Sequence, residues 1–291
     1  MRVLLAGGAG FIGSHLSDLL LNRGDEVVAI DNLSTGRSRN IDHLVPHPGF
    51  SFVHADITQP LPTDGPCANS FDAVLDLASP ASPNDFATMP LEILDVGSTG
   101  TRHLLERARR DRARFLLAST SEVYGDPLVH PQPETYWGNV SSIGPRSCYD
   151  EAKRFSEALT MAYHRTHGLD VRIARIFNTY GERMRPLDGR VVNTFVVQAL
   201  HAHGATTGAM SPRMREQSAR ALALARTVIE LTGSSSKIRL VPLPPEREGD
   251  PLQRCPDITV ATKELGWVPS VSLRSGLEMM IAFFASHEDL V

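Results

Sequence analysis

The chain has 291 residues, of which 42% are hydrophobic and 21% charged, and a formal net charge of −4. That is the composition of a soluble globular protein with one large core or two unequal ones, and it excludes a disordered chain. Mild acidity without a long basic run argues against nucleic acid as a main partner, since the locally basic stretch 102–114 reads as a solvated helix face.

Residues 2–6 (RVLLA) read as a short buried strand. Gly7, Gly8, Gly10 and Gly13 follow, then an apolar-periodic run that predicts a helix over 12–23. This order predicts a dinucleotide site. Gly7 and Gly10 permit close backbone approach to a pyrophosphate, and Gly13 lets the helix press on the sheet. The helix start, with Phe11 and Ile12, supplies positive partial charge. A second strand, 26–30, ends at Asp31, where an acid bonds ribose hydroxyls; Asn32, Ser34, Thr35 and Gly36 continue the expected cofactor site. Asp31 repels a 2′-phosphate, which favours NAD over NADP. Arg37 and Arg39 are the opposing signal, because an arginine there can accept that phosphate.

Further strands are predicted at 51–55, 72–77, 115–119, 169–177 and 237–241, with helices at 91–110, 149–167 and 191–203. The alternation predicts an α/β fold, a doubly wound parallel sheet with helices on both faces, whose ligands bind beyond the carboxyl ends of the strands. Asp56 and Ile57 follow the third strand and can bracket adenine, although turn chemistry explains Asp56 equally well. Leu77, Ala78 and Ser79 close the fourth strand, and Thr120, Ser121 and Glu122 follow the fifth.

In the run YDEAK, Tyr149 and Lys153 stand at i and i+4 and share a helix face. An ammonium beside a phenol favours phenolate, pulling the tyrosine down from about 10 toward the working pH. The pair therefore predicts a nicotinamide-dependent enzyme whose base is a tyrosine. After Asn178, proline and arginine become frequent, which suggests a smaller substrate domain whose basic side chains can clamp a diphosphate. The expected division is a dinucleotide-binding domain over 1–177, with part of 205–241 returning to it, and a smaller domain from 178–204 and 242–291. Cys67, Cys148 and Cys255 are odd in number and match no metal-ligand spacing, so no metal is expected and a reducing cytosol suits them. The first residues read as strand and glycine loop rather than a signal sequence, and no apolar stretch approaches about twenty residues. A soluble, cytoplasmic protein is expected.

Taken together, AGGAGFIGSHL, DNLSTGR, LASPASP, LLASTSEVYGDP, GPRSCYDEAKR and RIFNTYGERMRPLDGRVV resemble the extended short-chain dehydrogenase/reductase family, and most closely its UDP-glucuronate decarboxylases. The resemblance returns at EGDPLQRCPDITVATKELGWVPS. It implies tightly bound NAD, with Tyr149 as base, Lys153 as its electrostatic partner and cofactor ligand, and Thr120 as a hydroxyl that positions the sugar. Glu122 marks a decarboxylase, Ser121 joins it at the substrate, and Asn178, Arg183 and Arg254 hold the nucleotide sugar. It also implies a homodimer paired through the helices at 91–110 and 149–167. Two departures stand out. The chain is shortened around residues 203–228, removing an arginine and a sheet strand of the family, for which Arg213 or Arg215 is the candidate replacement. Asp76 stands where the family often has histidine. Three readings follow: an active decarboxylase, a related UDP-sugar 4-epimerase or nucleotide-sugar 4,6-dehydratase, and a cofactor-binding remnant with little turnover.

Overall fold

The computed structural model describes residues 1–186, 188–201, 206–207, 215–240, 250–251 and 253–287. In chain order its elements are β1 (Arg2–Ala6), α1 (Phe11–Asn22), β2 (Glu26–Asp31), β3 (Phe50–His54), β4 (Ala73–Asp76), α2 (Pro83–Thr88), α3 (Pro90–Asp95), α4 (Thr101–Asp111), β5 (Arg114–Thr120), α5 (Ser147–His167), β6 (Val171–Ile176), α6 (Val191–Leu200), β7 (Thr206–Thr207), α7 (Arg215–Thr232), β8 (Arg239–Leu240), α8 (Thr259–Leu265) and α9 (Leu273–Ala285). They divide into two compact units. The first comprises Met1–Ala81, Thr88–Val123 and Ser147–Ile176; the second comprises Ser82–Ala87, Tyr124–Arg146 and Phe177–Val291.

The first unit is built on a six-stranded sheet in the order β3-β2-β1-β4-β5-β6, parallel at every pairing. Strands buried on both faces are apolar through their middle, as in VLLA of β1 and VVAI of β2. Alternate residues feed two cores. Leu4, Val28, Val74, Phe115 and Leu117 pack on one face with Leu104, Leu105 and Ala108 of α4. Val3, Leu5, Val27 and Ala29 pack on the other with Leu20 and Leu21 of α1. The strand order reverses between β1 and β4, so the carboxyl ends of these two strands border the crevice in which this topology binds ligands.

The helix expected over 91–110 is interrupted. Between α3 and α4 the chain takes a π-helical turn, Val96–Gly100, which inserts extra backbone and shifts the helical phase. Periodicity over a window this short does not resolve such an insertion. The turn packs on α5, where the Ser156 hydroxyl lies 2.7 Å from the carbonyl oxygen of Gly97.

The second unit has its own core from α6, α7 and α9: Phe195, Val196 and Ala199 meet Ala225, Val228, Leu277, Met280 and Phe284. Helix α7 lies in the shortened part of the chain and contributes Ala225 and Val228 to this core. Met214 and Arg213 lie outside the described residues, and α7 begins at Arg215. Within 205–241, the segment expected in part to return to the first domain, the described strands β7 and β8 pair with each other in a separate two-stranded sheet and fall in the second unit. In the same unit, Gln132 fixes the chain around Cys255, with Gln132 N–H donating to Cys255 O and Cys255 N–H to Gln132 Oε1. Among the described residues no helix is long and apolar enough to cross a membrane, and no group of acidic, histidine or cysteine side chains is placed to hold a metal ion.

Candidate active site

In the first unit, the turn from β1 to α1 is shaped by glycine where nothing larger fits. Gly7 has φ +77°, and a Cβ on it would meet the backbone of Leu77 at 2.7 Å. Gly13, one turn into α1, faces the carbonyl oxygen of Gly7, which a Cβ would approach to 2.1 Å. The close approach that the sequence requires of these positions is therefore present in the backbone.

Asp31 ends β2. Its two carboxylate oxygens accept from the N–H groups of Leu33 (2.8 Å) and Ala9 (3.0 Å), tying the glycine turn to the second strand. Burial pushes its carboxyl above the ordinary range, against the opposing pull of those two N–H groups and of His54. Asp56, after β3, accepts from the Thr58 N–H and hydroxyl at 2.8 Å each and from Asn32 Nδ2 at 3.0 Å. Burial raises the Asp56 carboxyl, but these three bonds outweigh it and hold the group below the ordinary range.

These carboxyl strand ends line an open cleft with about 490 Å³ of unfilled space, counting the part open to solvent. Gly7 and Gly10 line it from the first turn; Asp31, Asn32, Ser34, Thr35 and Gly36 from the second; Asp56 and Ile57 from the third; and Leu77, Ala78 and Ser79 from the fourth. Phe11, Ile12 and Gly13 belong to α1 and are not among the lining residues, nor are Tyr149 and Lys153. Sequence reasoning missed Ile30, Ala55, Pro80 and Val96 in the wall. Ile30, Ala55 and Pro80 adjoin residues that were singled out, so position beside a strand end was the available signal. Val96 arrives through the π-helical turn and carries no such mark.

The second cluster lies where α5 crosses β5. Tyr149 and Lys153 are buried on the first turns of α5, and Lys153 Nζ donates to the carbonyl oxygen of Ala118 at 3.0 Å. That bond sets the ammonium against β5 just before Thr120. Thr120 ends β5 and Ser121 and Glu122 stand in the turn that follows; all three are buried, and Glu122 N–H donates to Thr120 Oγ1 at 3.3 Å. Further along α5, Glu157 accepts from Ser119 Oγ at 2.6 Å and from Arg175 of β6 at 2.7 Å, locking α5 across β5 and β6. A phenol, an amine and hydroxyls thus share one end of the sheet. Burial lowers the proton affinity of Lys153, with the negative charge of Asp76 opposing that effect.

Asn178, Arg183 and Arg254 belong to the second unit. Asn178 is exposed, and Arg183 takes a left-handed backbone, φ +63°. Of the arginines expected to clamp a diphosphate there, Arg185 is engaged within its own unit, donating to Asp85 at 2.6 Å and to Ser82 at 2.9 Å. Arg215 begins α7.

A glycine turn against β1, an acid closing β2, and a tyrosine and lysine one turn apart beside β5 all stand at the carboxyl end of the parallel sheet, where this topology binds ligands. Comparison with known proteins agrees. The profile of the NAD dependent epimerase/dehydratase family matches residues 3–215. UDP-glucuronic acid decarboxylase 5 of Arabidopsis thaliana is 44% identical over 309 aligned residues, covering 96% of this chain and 88% of the plant protein. The alignment is longer than the 291-residue chain, so the relative carries residues that this chain lacks. Among solved structures, a UDP-glucose 4-epimerase from Thermotoga maritima with UDP-glucose superposes with a TM-score of 0.84 at 26% identity, covering 98% of this chain and 99% of the other. A dTDP-glucose 4,6-dehydratase from Streptomyces venezuelae with NAD bound gives 0.85 at 25% identity, covering 99% and 98%. Fold, cleft and sequence lead to one assignment: the chain belongs to the NAD-dependent epimerase/dehydratase family.

Proposed function

We propose that this chain is an NAD-dependent UDP-glucuronate decarboxylase, which forms UDP-xylose through a 4-keto sugar. The observation that carries the reading is its 44% identity to a plant UDP-glucuronic acid decarboxylase along 96% of the chain. Glu122 in the buried turn beside Thr120 supports it.

NAD, when bound, supplies the acceptor for a hydride from C4 of the sugar and returns it at the end. Gly7 and Gly10 admit its pyrophosphate, Asp31 takes the ribose hydroxyls, and Asp56 and Ile57 border the adenine. Tyr149, as phenolate, accepts the C4 hydroxyl proton and gives it back to that oxygen when the hydride returns to C4, and the Lys153 ammonium stabilises the phenolate. Thr120 orients the sugar alcohol. The new C4 carbonyl stands β to the C6 carboxylate, so the C5–C6 bond breaks, carbon dioxide leaves, and its bonding electrons pass into an enolate. Ser121 and Glu122 hold the carboxylate and return a proton to C5. Asn178, Arg183 and Arg254 grip the nucleotide end. In this reading the first unit is the dinucleotide-binding domain and the second binds the nucleotide sugar. The protein works in the cytoplasm as a homodimer paired through α3, α4 and α5, on which Leu91, Leu94 and Phe155 are exposed apolar side chains.

The superposition on a UDP-glucose 4-epimerase favours a second reading, epimerisation at C4. Incubation with UDP-glucuronate followed by mass spectrometry separates the possibilities. UDP-xylose with release of carbon dioxide is the expected result; UDP-galacturonate without gas selects the epimerase. Retained NAD without any sugar-nucleotide product or shift in melting temperature selects a cofactor-binding remnant.

A further inference from the structure

Asp76 ends β4 inside the protein, 1% exposed, and Lys153 on α5 is 5% exposed. One carboxylate oxygen of Asp76 accepts from Thr101 Oγ1 of α4 at 2.9 Å. The other, Oδ1, has no hydrogen-bond partner among the described residues. Thr101 Oγ1 lies 3.3 Å from Ser156 Oγ, and Ser156 is one turn beyond Lys153 on α5. The carboxylate is therefore wired to the helix that carries the lysine. A buried acid with one oxygen unbonded is costly unless a positive charge nearby compensates it.

The titratable groups on elements packed around α5 narrow the choice of that charge. Glu122 follows β5. Glu157 of α5 is paired with Arg175 of β6 at 2.7 Å, and Glu106 of α4 is paired with Arg109 at 2.9 Å and bonded to Tyr163. Glu92 and Asp95 of α3 are exposed, and Asp150 is buried on α5 three residues before Lys153. The negative charge of Asp76 favours the Lys153 ammonium, and the action is mutual. Burial pushes the Asp76 carboxyl up while Lys153 first, and then the Thr101 hydroxyl and the Ala78 N–H, pull it back; burial pushes Lys153 down while Asp76 holds it up. A purely structural role as partner of Thr101 would need only an acceptor oxygen, which asparagine also has.

We propose that Asp76 is a positioning residue of the proton-transfer site: its buried carboxylate is the counter-charge that keeps the Lys153 ammonium protonated beside Tyr149. The importance of that ammonium to turnover rests on the functional reading above; the charge relationship itself does not.

The sequence makes the test direct, because the chain contains three lysines, and Lys237 and Lys263 are exposed. In protein labelled with ¹³Cε-lysine, the Lys153 resonance is followed against pH in the wild type and in Asp76→Asn, with melting curves to verify folding. The substitution should lower the Lys153 midpoint by about one pH unit or more, a tenfold loss of proton affinity, while the two exposed lysines stay in place. An unmoved Lys153 midpoint overturns the proposal. If Asp76→Asn does not fold, Lys153→Met read through the ¹³Cγ resonance of Asp76 gives the reciprocal measurement: the carboxyl midpoint should rise, and an unchanged one overturns the proposal. Where the wild type turns over UDP-glucuronate, the alkaline limb of kcat should move to lower pH in Asp76→Asn with KM for the sugar nucleotide unchanged, and an unmoved limb counts against the proposal. Absence of turnover in the wild type sinks the functional reading alone, because the lysine titration still decides the role of Asp76.

Discussion

Gly13 sits against the carbonyl oxygen of Gly7 with no room for a side chain, since a Cβ there would stand 2.1 Å from that oxygen. The obstacle is backbone, so it cannot be relieved by a rotamer change. Gly13→Ala should cost about 1–3 kcal/mol or more through overpacking and displace the turn that lines the cleft. Lower melting temperature together with reduced NAD content after purification is the expected result.

Tyr149→Phe removes one oxygen from a buried position and leaves the ring. Turnover should fall by about 10²–10⁴-fold, the usual contribution of a positioned acid or base, while bound NAD stays near wild type. Product formation and cofactor absorbance on the same sample check both halves.

Asp31 is an acid at the end of β2 that also organises the loop through Ala9 and Leu33. In Asp31→Asn the negative charge disappears and one oxygen acceptor becomes a donor. NAD affinity should weaken by about 1.5–3 kcal/mol, the worth of hydrogen bonds to a charged group, and discrimination against NADP should narrow. Calorimetric titration with the two cofactors measures both.

Asp111 closes α4 and is 3% exposed at its side chain, as is its partner Arg107 at 2.5 Å. The Arg107 guanidinium also lies 4.4 Å from the centre of the Phe71 ring. Burial pushes the Asp111 carboxyl up, but donors from Arg107, Phe71 and Arg110 outweigh it and hold the group below its ordinary value of 3.8. A carboxyl depressed in the folded state stabilises the protein above its unfolded value, and that stabilisation is lost as pH falls through the folded one. Asp111→Asn should therefore cost about 3–5 kcal/mol near neutrality, because Arg107 is left buried without its counter-charge. The wild type should lose stability below about pH 4 more steeply than the variant. Urea midpoints across pH measure the difference.

Phe284→Ala should cost about 3–5 kcal/mol, concentrated in the second unit, where Phe284 is fully buried among α6, α7 and α9. Hydrogen exchange should show protection lost in α6 and α7 and kept in the six-stranded sheet.

Much of the first unit was legible because local chemistry and long-range structure ask for the same residues. The apolar run 2–6, the glycines behind it and Asp31 each have one physical use, and they fall on β1, the tight turn and the end of β2. YDEAK specifies its own geometry on any helix. What escaped was set by partners far away in sequence. The Asp76–Thr101–Ser156 chain joins residues on three different elements, and each taken alone is an ordinary polar residue. The π-helical turn at Val96–Gly100 adds backbone without altering composition. Helix α9 carried a readable start, Ser272 accepting from Ser275 N–H, that apolar patterning alone did not bring out. The replacement for the family arginine was not legible in the spacing around residue 213.

The second unit closes its core with α9, whose last residue is Ala285, whereas among the described residues the first unit ends at Ile176. Translation therefore delivers every part of the sheet while the polypeptide behind it is still growing. Until Leu277, Met280 and Phe284 emerge from the ribosome, Phe195 and Val228 have no apolar shelter from that helix, and the second unit carries exposed apolar surface of the kind that promotes aggregation.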